Sequence, residues 1–481
     1  MVVGELSETR DLIIIGGGPG GYNAAIRAAQ LGMTVTLIEA EELGGACLNR
    51  GCIPSKIWTH AASVHAQIQK AGILGLDVET SAVNPKKLLK RKDAVIKQLK
   101  QGIETLLNRN QIEVIQGKAI FTGVNKVGVE HGHQYQTYTF NKAIIATGST
   151  RRLPAGITPN IPRVLLADDL YRLDELPEHL VVYGDDYLAL EMASAYAAYG
   201  SRVTLLLGNK GELLFDESLH RELTRQFKKQ KIKMHKQAMI TEVAEHDQGL
   251  NITWNQANER EQVIEATHLF VSGEVCPNTS ELGLERIGVE LTQEGFVKVN
   301  PMQQTSMDAI YAIGDITEGP PLAVKAIKEG KSAAEAAAGG HPDVNLTFVP
   351  TIARTIPSVV SVGTSEREAI AQHLEVRTGR FNLSGNGYSV LTDKSDGFIK
   401  IITDSQSGII LGVHMIGDGA AELSAVFVQL LEMAAKEEDM IYPMMIHPGV
   451  GESLQEAAED LIGHAIHNMP ALRMEVSSRQ D

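Results

Sequence analysis

Cys47 and Cys52 lie five positions apart in the segment Gly44-Gly-Ala-Cys-Leu-Asn-Arg-Gly-Cys-Ile-Pro-Ser-Lys56, a glycine-bounded turn. A pair so placed can cycle between disulfide and dithiol, provided one sulfur stays reachable by an incoming thiolate. Zinc ligation is the competing chemistry for neighbouring cysteines. It calls for four ligands with two to four residues between cysteines, whereas this chain has only one other cysteine, Cys276, so no metal site is expected. Three cysteines in 481 residues is also the usage of a reducing compartment, which argues against a purely structural bridge. A redox-active pair is the expectation.

The elements that must position this pair begin with a dinucleotide-binding pattern ending eight residues upstream of Cys47. Leu12 to Ile15 is a continuous aliphatic run, Gly16-Gly-Gly18-Pro-Gly-Gly21 follows, and Tyr22 to Gln30 reads as an alanine-rich helix. Gly16 permits the tight turn, Gly18 lets backbone approach a pyrophosphate, and Gly21 lets helix pack on strand. The helix N-terminus then faces the phosphates with free N–H groups. The next strand, Thr34 to Ile38, ends at Glu39, placed to accept from a ribose hydroxyl. Two later strands end in turns suited to the same cofactor. Ala143 to Ser149 closes on Thr147, Gly148 and Ser149, and Ala309 to Ile316 stops at Gly314-Asp315, where the acid fits a hydrogen bond to a polyol chain. A redox disulfide beside a bound flavin follows.

Composition bounds the rest. With 481 residues, three or four domains are expected, and 43% apolar residues with 45 glycines suit an α/β enzyme. A formal net charge of −15 argues against nucleic acid and anionic membranes. Met1 to Arg10 lacks the basic and apolar regions of an export signal, and no apolar run approaches a membrane span, so a cytoplasmic protein is expected.

From about Asp11 to Ile466 the chain resembles the flavin-dependent pyridine nucleotide–disulfide oxidoreductases, most closely the dihydrolipoamide dehydrogenases. The resemblance rests on Gly16 to Gly21, Glu39, Cys47 to Lys56, Ala146 to Ser149, Gly314-Asp315, and His447-Pro448 with Glu452 five residues after the histidine. It implies an α/β fold of two Rossmann-like dinucleotide-binding domains, one for FAD and one NAD-like, plus a C-terminal α+β dimerisation domain. It implies that Cys52 contacts the flavin, that Cys47 exchanges with substrate thiol, and that Lys56 sits near the flavin paired with Glu191. Gly45, Ala119 and Ala323 complete the cofactor-binding set that it implies. The terminal histidine of one subunit of a homodimer would complete the disulfide site of the other. His447 would take the substrate thiol's proton, since the thiolate is the nucleophile, with Glu452 orienting the ring. The surrounding pattern departs from the family at Gly449, where threonine is usual, and at Met445-Ile446.

The larger departure is in the second Rossmann unit. After the strand Leu180 to Tyr183 the family has three glycines, and this chain reads Gly184-Asp185-Asp186-Tyr187-Leu188-Ala189. After the strand Val203 to Leu206, Leu207 stands where the family places the acid that binds the NAD ribose. The family's Gly-Arg-x-Pro-Asn appears as Gly273-Glu274-Val275-Cys276-Pro277-Asn278, without arginine. A carboxylate about 5 Å from a phosphate charge costs on the order of 3 kcal/mol at an effective dielectric near 20. Repulsion, the steric loss at the replaced glycine and the missing ribose acid act in the same direction, so NAD binding is expected to be lost or severely weakened.

The expected organisation is a first FAD segment over residues 1–150, an NAD-like domain over 151–274, a second FAD segment over 275–346 and the dimerisation domain over 347–481. The expected activity is FAD-dependent oxidation of dihydrolipoyl groups or a similar dithiol, with an acceptor other than NAD. An ordinary NAD-dependent dihydrolipoyl dehydrogenase is one alternative. A non-turnover flavoprotein partner of a 2-oxoacid dehydrogenase complex is another, disfavoured by the intact Cys47, Cys52, His447 and Glu452. A lipoyl-domain protein or such a complex is the expected macromolecular partner.

Overall fold

Leu12-Ile-Ile-Ile15 offers no polar position for a solvent face, the pattern of a strand covered on both sides. In a computed structural model describing residues 8–79, 81–208, 213, 215–256, 260–342 and 344–468, it forms the end of strand β1 (Glu8–Ile15), with Leu12, Ile13 and Ile14 fully buried. Met1–Ser7, part of the segment read for an export signal, lie outside the described residues. Among the described residues, no helix is long and apolar enough to cross a membrane.

Residues 1–212 and 231–346 gather into one compact unit, and 213–230 with 347–481 into a second. In the first unit, β1 leads into α1 (Pro19–Gln30) and β2 (Val35–Glu39), then into α2 (Gly45–Asn49), α3 (Cys52–Gln69) and α4 (Pro85–Arg109). Strands β3 (Glu113–Gln116), β4 (Lys118–Gly123), β5 (Lys126–His131) and β6 (Gln134–Ile145) complete the order β3-β2-β1-β6-β5-β4. β1 runs parallel to β2 and β6, while β4, β5 and β6 form an antiparallel meander.

After β7 (Ser149–Arg152), a second parallel sheet is built around β8 (His179–Tyr183), which is followed by α5 (Tyr187–Ala198) and β9 (Arg202–Leu206) and paired on its other side with β10 (His268–Val271). This is a second Rossmann unit. A three-stranded antiparallel sheet over Ala238–His246, Gly249–Gln256 and Gln262–Ala266 adjoins it, and β11 (Glu274–Pro277) pairs with β7. The chain then returns to the first sheet, where β12 (Ile310–Ala312) lies parallel to β6 and is followed by α6 (Ala323–Ala337). Helices α1 and α6 approach closely because small residues face each other: a Cβ at Gly330 would meet the Gly20 carbonyl oxygen at 2.5 Å.

The second unit is a five-stranded antiparallel sheet over Thr351–Ala353, Val359–Gly363, Val376–Asn382, β13 (Phe398–Asp404) and β14 (Ile410–Ile416), packed with α7 (Ala420–Glu432) and α8 (Glu452–Leu461). The helix Glu217–Lys229 belongs to it by contact. Asp216 caps that helix by accepting from the Ser218 backbone N–H, and holds the buried Lys400 ammonium of β13 at 3.1 Å. The chain thus has the expected two Rossmann-like units plus an α+β unit.

Candidate redox site

Gly44 and Gly45 adopt positive φ angles of 93° and 58°, and a Cβ at Gly44 would strike Leu48, so the turn into α2 requires glycine. That turn sets Cys47 within α2, and Gly51 then starts α3 at Cys52 without a side-chain cap. A sulfur at the first position of an 18-residue helix sits at the positive end of its dipole. Hydrogen bonding from Cys47 is the main cause that lowers the Cys52 thiol below its ordinary range; burial opposes it and the Lys56 charge assists. The same hydrogen bond, followed by burial, pushes Cys47 up. Of the two sulfurs, Cys52 is the one whose surroundings favour the thiolate.

Lys56 follows Cys52 by one helical turn, and its Nζ lies 2.9 Å from both carboxylate oxygens of Glu191 on α5. Glu191 is fully buried, so this is its charge partner across the two Rossmann units. The Tyr187 ring lies 5.2 Å from the same ammonium, and burial pushes its phenol up.

The two nucleotide turns invite comparison within one chain. In the first, Gly16 has φ of 107°, and a Cβ at Gly21 would meet the Gly16 carbonyl oxygen at 1.8 Å, so the fold itself demands both glycines. Gly18 is different. It has φ −69° and ψ −174°, extended backbone open to any residue, and a Cβ there would meet only the Gly45 Cα at 3.8 Å. Nothing in the chain requires glycine at this point, and α1 begins there with no side-chain cap. The open N-terminus suits a pyrophosphate. Glu39 is buried at the end of β2, accepting from the Gly17 and Glu41 backbone N–H groups at 2.6 and 2.7 Å.

In the second turn, Asp186 takes the place of Gly18 with nearly the same backbone, φ −82° and ψ 171°. Its Oδ1 accepts from the Ala189 backbone N–H at 3.0 Å, capping α5. Its Oδ2 lies 2.8 Å from the Arg151 guanidinium, which also donates to the Ser272 carbonyl at 2.6 Å. For Asp186 this corrects the expectation of a bare carboxylate repelling a phosphate. Asp186 is neutralised, and it occupies the helix N-terminus where the phosphate would sit. Leu207, at the place equivalent to Glu39, is fully buried.

Arg151 was invisible to motif reading, because it comes from β7 and not from the Gly273 segment. Of the remaining expected residues, Thr147, Gly148 and Ser149 follow β6, and Gly314 and Asp315 follow β12. Thr147 donates to the Asn278 carbonyl at 3.0 Å, and Gly148 has φ of 66° with open space where a Cβ would be. Ser149 donates to Asp315 at 2.9 Å, and burial pushes the Asp315 carboxyl up. Gly314 is clamped by two residues of α6 that also escaped notice: Lys325 donates to its carbonyl at 2.9 Å, and Glu329 accepts from its N–H at 2.7 Å. Their i,i+4 spacing was the available signal. Ala323 opens α6, again without a side-chain cap, and Gly45 packs on Gly18. Ala119 lies on β4 with its side chain in the hydrophobic core.

His447 and Glu452 are brought together in the second unit, Nδ1 to Oε1 at 2.8 Å, and the other carboxylate oxygen accepts from the Gly449 N–H at 2.9 Å. Burial acts against it, but the hydrogen bond from His447 keeps Glu452 below the usual carboxylate range. The imidazole itself is 82% exposed.

Residues 10–330 match the family model described as pyridine nucleotide-disulphide oxidoreductase, and residues 349–458 match its dimerisation domain. Dihydrolipoyl dehydrogenase of Geobacillus stearothermophilus is 38% identical over 97% of this chain and 99% of its own length. The mitochondrial dihydrolipoyl dehydrogenase 1 of Arabidopsis thaliana is 35% identical over 96% of this chain and 92% of its own. Among solved structures, LpdA of Mycobacterium tuberculosis superposes with a TM-score of 0.87 at 26% identity, covering 94% of this chain and 99% of that one.

Proposed function

Because the chain belongs to the pyridine nucleotide-disulphide oxidoreductase family, we propose that it is an FAD-dependent enzyme that oxidises a dihydrolipoyl group or similar dithiol and passes the electrons to an acceptor other than NAD. The observation that carries this reading is the contrast between two turns of one backbone conformation. Gly18 leaves the N-terminus of α1 open, whereas Asp186 fills that of α5 with its own carboxylate and engages Arg151. FAD would be held by Gly16, Gly18 and Gly21 at its pyrophosphate, Glu39 at its ribose and Asp315 at its polyol chain. When bound, it accepts the pair of electrons released by the dithiol.

The chain's own residues supply the exchange. His447, oriented by Glu452, takes the substrate thiol's proton, and the thiolate attacks Cys47 of the disulfide. Cys52 leaves as the thiolate that its hydrogen bond and Lys56 favour. The substrate's second thiol then displaces Cys47 and closes the oxidised disulfide. His447 serves the disulfide of the other subunit in this reading. Support comes from its exposure and from Tyr442, Met444 and Ile446, apolar residues that are 79%, 100% and 83% exposed beside it.

Stopped-flow reduction of the flavin, separately by dihydrolipoamide and by NADH, tests the proposal. Fast reduction by the dithiol and slow reduction by NADH is expected. Micromolar NADH binding with rapid turnover would establish an ordinary NAD-dependent dihydrolipoyl dehydrogenase instead.

A further inference from the structure

Helix α4 carries Lys86, Lys87, Lys90, Arg91, Lys92, Lys97, Lys100 and Arg109 against Asp93 and Glu104, a net charge of +6 in a chain whose formal net charge is −15. Its cations divide by position. Lys92 turns inward to the Tyr171 carbonyl at 3.1 Å, Lys86 meets Asp174 at 3.5 Å, and Lys100 meets Glu42 at 3.4 Å. Lys87, Lys90, Arg91 and Lys97 are exposed, and none has an ion-pair partner among the described residues. At 100° per residue these four fall within about a third of the helix circumference. The opposite side, with Leu88, Val95, Ile96 and Leu107, is the one more covered by the protein.

The location ties this face to the redox site. α4 packs against α2, the short helix that holds Cys47, and Glu42, the partner of Lys100, precedes Cys47 by five residues. Four unpaired cations on one ridge repel one another at a cost that solvation alone must offset, and such a ridge serves best as a contact for negative charge.

We propose that the exposed basic ridge of α4 is the docking surface for an acidic, folded carrier domain that presents the dithiol on a flexible arm to Cys47. This rests on the dithiol-oxidising reading above. A compact domain is favoured over nucleic acid or an anionic bilayer by the size of the patch. At physiological ionic strength charges are screened over about 8 Å, so a small partner seated on α4 experiences the ridge. An extended polyanion would also contact the remaining surface, which carries the excess of acid.

The test compares the wild-type flavoprotein with a variant bearing Lys87→Glu, Lys90→Glu, Arg91→Glu and Lys97→Glu, and with a milder variant carrying glutamine at the same four positions. The substrates are free dihydrolipoamide and an isolated, reduced lipoyl domain of acidic pI, each at 50 mM and 500 mM salt. For the charge-reversed variant, kcat/KM toward the domain should fall about ten-fold at low salt, and the glutamine variant should fall less. The difference should close at high salt, while kcat/KM for free dihydrolipoamide stays at the wild-type value.

An unchanged kcat/KM for the domain overturns the docking proposal alone, provided free dihydrolipoamide still reduces the wild-type flavin. Failure of that last reaction overturns the underlying function. Sedimentation of the charge-reversed variant as a monomer beside a wild-type dimer would assign the ridge to a second copy of this chain and also overturn the proposal. So would retention of the wild type, but not the variant, on vesicles containing phosphatidylserine.

Discussion

Gly18 and Asp186 have nearly the same backbone, so one atom set decides what each helix N-terminus can hold. Asp185→Gly with Asp186→Gly should tighten NADH binding by an order of magnitude or more at low salt, because it uncovers the α5 N–H groups and releases Arg151. Asp186→Asn keeps the cap and drops the charge, since asparagine caps as well as aspartate. It should gain far less than the glycine pair. Equal gains in a fluorescence titration would mean that charge, and not occupancy, is what excludes the nucleotide. At the disulfide, Cys47→Ser should show a long-wavelength absorbance band from the Cys52 thiolate without added reductant, and Cys52→Ser should show none. In the dithiol-reduced wild type, where the Cys47 hydrogen bond and the Lys56 charge lower the Cys52 pKa against burial, the band should persist as pH falls below the ordinary thiol range near 8.5. A band that disappears by pH 8 would contradict the charge assignment.

At the scale of elements, two buried ion pairs hold turns and helices in place. Lys325 and Glu329 on α6 together capture both polar groups of the Gly314 peptide, and so fix the turn that presents Asp315. Glu329→Gln leaves a buried ammonium short of its partner. A loss of about 3 kcal/mol is expected, together with faster release of flavin in dialysis. Flavin release at the wild-type rate would show that the pair does not position Asp315. In the second unit, burial acts against the Asp216 carboxylate. The Ser218 hydroxyl, His414 and Lys400 nevertheless hold it well below the usual carboxylate range. A depressed carboxyl stabilises the folded state above its unfolded pKa of about 3.9, and that contribution is lost as pH falls through the lower folded value. Asp216→Asn should therefore lower the melting temperature at pH 7. The gap to wild type should narrow steadily below about pH 4, and a gap independent of pH would refute the pairing.

For the whole molecule, His447 and Cys47 belong to different compact units, and the dimerisation-domain match covers the histidine. A homodimer with shared sites predicts complementation. Mixing Cys47→Ser subunits with His447→Ala subunits should restore about half of the wild-type dithiol oxidation in each heterodimer, because one of its two sites then has both intact groups. A fully active monomer in analytical ultracentrifugation would exclude sharing. The exposed Tyr442, Met444 and Ile446 should then also lose protease sensitivity on dimer formation, as apolar side chains leave water.

Both Rossmann turns were legible in the sequence, because their requirements are local. A positive φ at Gly16, the lack of room for a Cβ at Gly21 and the aliphatic runs before them are properties of a few consecutive residues. The cysteine pair was legible for the same reason, being set by one turn and one helix start. The Lys56 to Glu191 pair spans 135 positions and was reachable only through family resemblance. The role of Asp186 was misread. The residue is visibly acidic in sequence, but its charge is cancelled by Arg151, 35 positions away on another strand. The Gly314 clamp by α6 and the attachment of helix Glu217–Lys229 to the second unit escaped in the same way. Backbone conformation is dictated by neighbours along the chain, whereas the sign and cost of a charge depend on distance in space, which only the tertiary fold sets.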